Sequence, residues 1–442
     1  MTKPRLSVIG TGYLGATHAV CMAELGYDVI GLDVDESKVA RLNAGEVPFF
    51  EPGLEEMLRK NLDAGRVRFT TSYDELAADR DVHFLCVGTP QKKGEYAADM
   101  SYVDASVAAL APRLTRSSVV VGKSTVPVGT AERIRDYLDQ NAPAGRDVEL
   151  VWNPEFLREG WAIEDTLHPD RLVIGIESER GERSMREVYA PLIDEGVPLV
   201  VTDFATAQLV KVAANAFLAT KISFINAMAE VCEAVHGDVK KLSEALSHDD
   251  RIGGRFLHAG LGFGGGCLPK DIRAFMARAG ELGVDQALSF LREVDAINQR
   301  RRGRMVDLAR EALDDSLAGR RVGVLGAAFK PNSDDIRDSP ALDVASRIAL
   351  AGATVTVYDP AALANARRDY PDLHYAESAV DAARDADVVL HLTEWREFRD
   401  MDPDVLSAVV ARRYIVDGRN ALDPARWRAA GWHYRALGRP GS

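Results

Sequence analysis

One segment of the 442-residue chain concentrates the features of a reactive centre. Gly260–Asp271 reads GLGFGGGCLPKD: five glycines precede Cys267, and Pro269, Lys270 and Asp271 open an apolar-periodic stretch, IRAFMARAGEL. Proline in a first turn is a helix start signal, so Cys267 falls at a helix N-terminus. There the helix dipole and nearby Lys270 lower a thiol pKa and favour the nucleophilic thiolate. The glycines keep side chains out of the loop, so a ligand can lie against its backbone. Asp271 lies one helical turn beyond Cys267, close enough to orient a water or hydroxyl. Cys21, Cys86 and Cys232 fall on a helix, a core strand and a long helix, and read as small buried hydrophobes. Cys267 is therefore the one nucleophile candidate.

A second constellation opens the chain. Gly10-x-Gly12-x-x-Gly15, with Tyr13 and Leu14 between the last two glycines, follows a short apolar strand and starts a helix. Gly10 permits the tight turn, Gly12 lets the backbone approach a diphosphate, and Gly15 lets the helix pack on the sheet. The helix N-terminus supplies open N–H groups and a positive dipole end. The next strand ends in Asp33, whose carboxylate would accept hydrogen bonds from ribose hydroxyls and repel a 2′-phosphate. The expected cofactor is NAD rather than NADP; the plain alternative is an ordinary glycine turn.

Two polar pairs follow. Lys211 and Asn215, four apart in an apolar helical run, share a face; the bland reading is a solvated stripe. Glu155 and Glu159 in NPEFLREG share a face if that segment is helical, where they would repel unless one meets a ligand. Their bland reading is ordinary surface glutamates.

The elements that must position these residues alternate. Strands at Arg5–Ile9, Asp28–Leu32, Val82–Val87, Ser118–Val121, Val148–Trp152, Arg171–Ile176 and Val197–Val201 are separated by helical stretches, the pattern of a parallel, doubly wound sheet. From Asp203, a plausible N-cap, to about Val235 the chain has neither Pro nor Gly and predicts one helix, roughly 50 Å long at about 1.5 Å per residue. Shorter helices follow to about Leu317. The strand–helix pattern then returns, with RRVGVLGAAF, TVTVYDP ending in Asp359, Asp387–Leu392 and Tyr414–Asp417. Gly326 has no glycine triplet after it, so the fold repeats there without the diphosphate cradle. The expected fold class is α/β: two Rossmann-like doubly wound parallel-sheet domains, 1–202 and 318–442, joined by a long central helix and a helical middle domain, 203–317.

Composition narrows the partners. Lys plus Arg is 54 and Asp plus Glu is 67, a net charge of −13 that argues against nucleic acid or an anionic membrane as main partner. No uninterrupted apolar run approaches the ~18 residues of a membrane span. Four cysteines without a C-x-x-C pair or nearby histidine cluster suggest neither a disulfide framework nor a metal site. A cytoplasmic location is the default expectation.

In chain order, VIGTGYLG, VGTP at Val87–Pro90, STVPVGT at Ser124–Thr130, NPEFLREG at Asn153–Gly160, the Lys211/Asn215 helix, GFGGGCLPKD, AAFKPNSDDIRDSP at Ala327–Pro340 and DGRN at Asp417–Asn420 resemble the nucleotide-sugar 6-dehydrogenases, the UDP-glucose/GDP-mannose dehydrogenase family. Eight segments in one order are far more specific than any one of them. The resemblance implies an enzyme that takes a primary alcohol to a carboxylate in two hydride transfers without releasing the aldehyde. Cys267 would be the covalent anchor, as a thiohemiacetal and then a thioester. Lys211 and Asn215 would stabilise the oxyanion, Asp271 would partner a water, Glu155 would be the acid/base of thioester hydrolysis, and Thr125 would position that water.

For NAD the resemblance implies Gly10, Gly12, Tyr13, Leu14, Gly15, Asp33, Lys38, Thr89, Thr125, Glu159, Lys270 and Arg337. For the nucleotide sugar it implies Glu155, Phe156, Leu157, Glu159, Lys211, Asn215, Phe256, Leu257, Gly260, Gly264, Lys330 and Arg419. Arg251 would reach the substrate across the interface of a homodimer whose core is the long helix, with a larger homo-oligomer also open. UDP-glucose is the substrate implied first. A dTDP-glucose, GDP-mannose or N-acetylated UDP-hexosamine dehydrogenase is the alternative, and Gly266 stands where the N-acetylmannosamine branch carries His. Two rival classes remain: a non-catalytic NAD sensor, which needs no Cys267, and a two-electron alcohol dehydrogenase, which releases an aldehyde.

Overall fold

A computed structural model describes residues 3–440. Strands β1 (Leu6–Ile9), β2 (Val29–Leu32), β3 (Val67–Thr70), β4 (Val82–Leu85), β5 (Ser118–Gly122), β6 (Val148–Trp152), β7 (Leu172–Gly175) and β8 (Leu199–Thr202) form a sheet in the order β3-β2-β1-β4-β5-β6-β7-β8. Its neighbours are parallel except β6 and β7, which meet antiparallel at Trp152 and Gly175. A parallel strand covered by helices on both faces needs apolar residues throughout. Thus in β5 Val119 and Val121 enter one core layer, with Val8 and Phe84, while Val120 enters the other, with Leu85 and Leu150.

The second sheet comprises β9 (Arg321–Leu325), β10 (Thr354–Tyr358), β11 (His374–Tyr375), β12 (Val388–His391), β13 (Tyr414–Asp417) and β14 (His433–Ala436), in the order β11-β10-β9-β12-β13-β14. All its pairings are parallel. Both sheets thus centre on a first strand flanked by the second and fourth, the doubly wound order expected from the sequence. Three short strands, β3, β11 and β14, escape the sequence reading. They lie at or beside sheet edges, where polar residues such as Arg68, His374 and Arg435 break the apolar run.

The chain forms two compact units, one from the N-terminal part up to Ala214 together with Arg273–Leu282, the other from Asn215–Ile272 together with the chain from Gly283 onward. The predicted long helix is Phe204–Val235, and Asp203 starts it by accepting a hydrogen bond from the Thr206 N–H at 2.7 Å. By length and composition this helix is able to cross a membrane, with a mean hydropathy of 1.3 over its most apolar window, 44% of which is buried in the fold. A search for an unbroken apolar run misses it because Lys211 and Lys221 interrupt the sequence. Its inner face is packed by protein: Ser223 donates to the Val294 carbonyl at 2.7 Å, and Asn226 accepts from the Gly260 N–H at 2.9 Å.

Candidate active site

The first unit gathers its candidate residues at the C-terminal ends of β1, β4, β5 and β6, beside the point where strand order reverses, which is where open α/β sheets bind ligands. A Cβ on Gly15 would come within 1.8 Å of the Gly10 carbonyl oxygen, so no side chain fits between turn and helix. A Cβ on Gly12 would meet nothing within 4 Å. That open space lies over the start of the Tyr13–Glu24 helix, whose first N–H groups have no side-chain cap. Open amides, a positive dipole end and room beside the backbone fit a dinucleotide diphosphate.

Asp33 follows β2 and is buried. One carboxylate oxygen accepts from the Thr11 N–H and from the Lys38 ammonium, both at 2.9 Å. Burial opposes its ionisation, but Lys38 and the N–H groups of Asp35 and Thr11 outweigh burial and hold the carboxyl below its ordinary range. The acceptor expected for ribose hydroxyls is therefore a carboxylate. Thr89 donates to the Thr125 carbonyl at 2.8 Å, joining the loops after β4 and β5.

After β6 the sequence permits Glu155 and Glu159 a shared helix face; the structure corrects this. Residues 154–158 are irregular, because the helix begins only at Ala162. Glu155 is mostly buried, with one oxygen 3.0 Å from the Lys211 ammonium and the other accepting the Leu157 N–H at 2.8 Å. Lys211 and Asn215 are themselves buried, which overturns the solvated-stripe reading, and Glu159 is buried too. The Phe156 ring has the Arg171 guanidinium 4.0 Å from its centroid and the Lys211 ammonium 5.7 Å away.

Two groups that no motif singled out hold this segment. Buried Lys123 donates to the Asn153 side-chain oxygen at 2.9 Å, and the Tyr189 hydroxyl donates to the same atom at 2.6 Å. Burial pushes the Lys123 ammonium pKa down. Glu51 accepts from the Gly160 N–H at 2.6 Å and the Ala162 N–H at 2.7 Å. Their sequence signal was weak: Lys123 immediately precedes STVPVGT, and Glu51 stands in the turn-rich EVPFFEPG.

In the second unit Cys267 is exposed, whereas Cys21, Cys86 and Cys232 are buried, with burial pushing the Cys21 and Cys86 thiols up to about 12. The helix Leu268–Glu281 starts directly after Cys267, whose carbonyl accepts the Asp271 N–H at 2.9 Å. Buried Asp271 accepts from the Asn215 side-chain amide and from the Lys270 ammonium, each at 2.6 Å.

The glycines before Cys267 also make room for the loop's own neighbours. They admit neighbouring protein: a Cβ on Gly264 would lie 2.3 Å from the Asp338 carbonyl oxygen. Phe263 is clamped at both backbone groups by the buried Asn298 side chain, at 2.7 and 2.9 Å. Arg419 donates to the carbonyls of Gly262 and Phe329, each at 3.1 Å, and to that of Leu392 at 2.7 Å. Burial lowers its pKa.

The remaining expected residues are spread around this loop or apart from it. Arg337 is exposed, with its guanidinium on Asp335 and over Gly266. Lys330 lies 5.4 Å from the Phe329 ring centroid. Leu257 is buried, Phe256 has a positive φ of 66°, and Arg251 is exposed and paired with Asp249 at 2.7 Å. Asp359, the counterpart of Asp33, accepts the Ala327 and Ala328 N–H groups at 2.8 and 3.0 Å. The Thr11 N–H makes the same turn-to-acid bond to Asp33 in the first unit.

The chain is similar to known proteins along nearly its whole length. Residues 4–193 match the NAD binding domain of the UDP-glucose/GDP-mannose dehydrogenase family, residues 205–300 its central domain, and residues 323–424 its UDP binding domain. A UDP-glucose 6-dehydrogenase of Rhizobium meliloti (strain 1021) is 42% identical over 438 residues, 99% of this chain and 100% of that protein. The structure of a UDP-glucose dehydrogenase from the archaeon Pyrobaculum islandicum superposes with a TM-score of 0.91 at 38% identity, covering 99% of this chain and 98% of the other. That of a UDP-D-ManNAc dehydrogenase from Pyrococcus horikoshii gives 0.86 at 26% identity, covering 99% and 100%. The chain belongs to the UDP-glucose/GDP-mannose dehydrogenase family and is an NAD-dependent oxidoreductase acting on a nucleotide sugar.

Proposed function

We propose that the chain oxidises UDP-glucose to UDP-glucuronate in two hydride transfers, with the intermediate held covalently on Cys267. The observation that carries the chemistry is the contrast among the cysteines: one exposed thiol at a helix start, three buried. The helix N-terminus favours the thiolate. The choice of sugar nucleotide is supported by the UDP-glucose dehydrogenases above and by Gly266.

NAD, when bound, would supply the hydride acceptor, one NAD molecule for each of the two oxidations. The residues of the chain do the rest. Lys211 and Asn215, one helical turn apart, stabilise the negative charge that develops on the sugar C6 oxygen. The Cys267 thiolate adds to the C6 aldehyde, giving a thiohemiacetal, and loss of the second hydride converts it to a thioester. Asp271, held by Asn215 and Lys270, orients the water that relays the proton. Glu155 acts as acid/base in thioester hydrolysis, which releases the carboxylate and restores the thiol, and Thr125 positions the attacking water. Phe256, Leu257, Gly260, Gly264, Lys330 and Arg419 hold the nucleotide sugar, with Glu159, Lys270 and Arg337 toward the cofactor.

The working form is a homodimer built on the long helix. That helix exposes Phe217, Phe224 and Val231, seven residues apart in succession, at 67%, 48% and 53%. Arg251 of one copy would then serve the substrate of the other. The location that goes with this reading is a reducing cytoplasm, where cysteines outside disulfides persist.

The experiment is stoichiometric. With UDP-glucose limiting and NAD in excess, NADH formed per sugar consumed should be two. A value of one would indicate a simple alcohol dehydrogenase, and none a cofactor sensor. Parallel assays with dTDP-glucose and GDP-mannose test the choice of nucleotide.

A further inference from the structure

Glu51 belongs to none of the motifs that the sequence singles out. It sits in the loop EVPFFEPG, ahead of the helix Leu54–Asp63, yet its side chain is 7% exposed. Three donors converge on its carboxylate. The Tyr13 hydroxyl donates to Oε2, the Gly160 N–H reaches the same oxygen at 2.6 Å, and the Ala162 N–H reaches Oε1 at 2.7 Å. The Gly160 N–H also lies 2.9 Å from the Tyr13 hydroxyl oxygen, closing a three-membered cluster.

The two sides of this cluster are functional. Tyr13 is the first residue of the helix after Gly12, so its own N–H is among the amides that open onto the diphosphate space. Its ring packs on Phe49 of the same loop, with centroids 4.8 Å apart. Ring and hydroxyl are thus both held from residues 49–51, and the first helical turn cannot tilt without breaking a buried hydrogen bond. On the other side, the Gly160 and Ala162 amides end the irregular segment that carries Glu155 and Glu159. A neutral acceptor could bond one side well. A carboxylate, with two oxygens and no proton of its own, accepts all three donors at once.

We propose that Glu51 is a positioning residue: it sets the glycine turn, through Tyr13, against the acid/base segment, through Gly160 and Ala162. This rests on the roles given above to the glycine turn and to Glu155. Burial and the bond to Glu51 both raise the Tyr13 phenol pKa, so it remains a donor throughout the working pH range. A merely structural Glu51 predicts something different. Its loss would lower the melting temperature and the fraction of folded enzyme, while the surviving enzyme kept its KM for NAD.

The test is a double-mutant cycle of Glu51→Gln and Tyr13→Phe, read as kcat and KM for NAD per folded molecule, together with NAD binding in the absence of sugar. Glu51→Gln should raise the KM and the dissociation constant for NAD about tenfold and lower kcat about tenfold, since Gln presents an N–H to one of the three donors. Tyr13→Phe should raise the KM for NAD three- to tenfold, and the double variant should be no worse than Glu51→Gln alone. Unchanged NAD affinity in both single variants, or strictly additive effects, would overturn the proposal. If Glu51→Gln fails to fold, Tyr13→Phe decides, since it removes one hydroxyl only, and wild-type NAD affinity in that variant would count against the idea. NAD binding without sugar is independent of Cys267, so a failure here is distinct from a failure of the covalent mechanism.

Discussion

The Asn215 side-chain amide donates to Asp271 Oδ2 at 2.6 Å, tying the middle of the long helix to the first turn after Cys267. Asp271 has its other oxygen on Lys270, at 2.6 Å, and is buried. A carboxylate pinned at both oxygens has one orientation, which suits the proposed role of aiming a water. Asp271→Asn keeps the shape and removes the charge, and turns an N–H toward either Asn215 or Lys270. It should lower kcat by about 100-fold, the scale of losing one acid/base or electrostatic contributor, with a change of less than about threefold in the KM for NAD. A kcat within threefold of wild type would remove Asp271 from the proposed relay.

Glu155 meets Lys211 at 3.0 Å, and the two are buried together. Glu155→Gln removes the charge but retains an acceptor for Lys211. If Glu155 serves hydrolysis, this variant stalls after the second oxidation, and intact-protein mass spectrometry of a rapidly quenched reaction should show the sugar nucleotide added to Cys267. Slow turnover with no adduct at any quench time would place the role of Glu155 elsewhere.

Much of this layout was legible in the residues, for definite reasons. Parallel strands buried on both faces read as unbroken apolar runs, so β1, β4 and β5 are plain in LSVI, VHFL and SVVVG. The glycine turn and the Pro269 start signal are local, and the structure has both helices beginning there. Glu51 was not legible, because its importance lies in the amides of Gly160 and Ala162, 109 and 111 positions away. Lys123 and Asn153 are likewise joined across two strand ends, 30 positions apart. The purpose of the glycines before Cys267 also depends on distant partners: Asp338 and Asn298 press on that loop, a fact no local pattern contains.

The long helix supplies a test of assembly. Phe217 and Phe224 are exposed apolar side chains on one helix, two turns apart. Phe217→Asp with Phe224→Asp should shift sedimentation from dimer to monomer and lower activity at least tenfold, with circular dichroism unchanged. Arg251→Ala should lower activity without dissociating the dimer. A wild-type protein that sediments as a fully active monomer would contradict both.

Stability should fall on mild acidification because of His83. It is fully buried in β4, with Nδ1 2.8 Å from the Ser7 hydroxyl, and burial, reinforced by Arg116, lowers its pKa to about 3. The unfolded chain binds a proton near pH 6.5, whereas the native imidazole stays neutral. Between these values the unfolded state holds more protons, so the stability from neutral His83 is present above about pH 6.5 and is lost as pH falls toward 3. The expected contribution to the slope is on the order of 1.4 kcal/mol per pH unit. Urea midpoints at pH 7.0 and 5.0 should differ less in His83→Gln than in the wild type; an identical difference would show that His83 does not contribute.

The covalent role of Cys267 is tested most directly by Cys267→Ser. The substitution exchanges sulfur for oxygen at an exposed position and leaves the fold and both ligand sites in place, but a hydroxyl has a far higher pKa and does not supply the thiolate. The measurement is the rate of UDP-glucuronate formation, beside the affinities for NAD and UDP-glucose. The account predicts a fall of about a thousandfold or more in the rate, with both affinities within threefold of wild type. Wild-type turnover in Cys267→Ser would contradict it, and a noncovalent pair of oxidations would have to take its place.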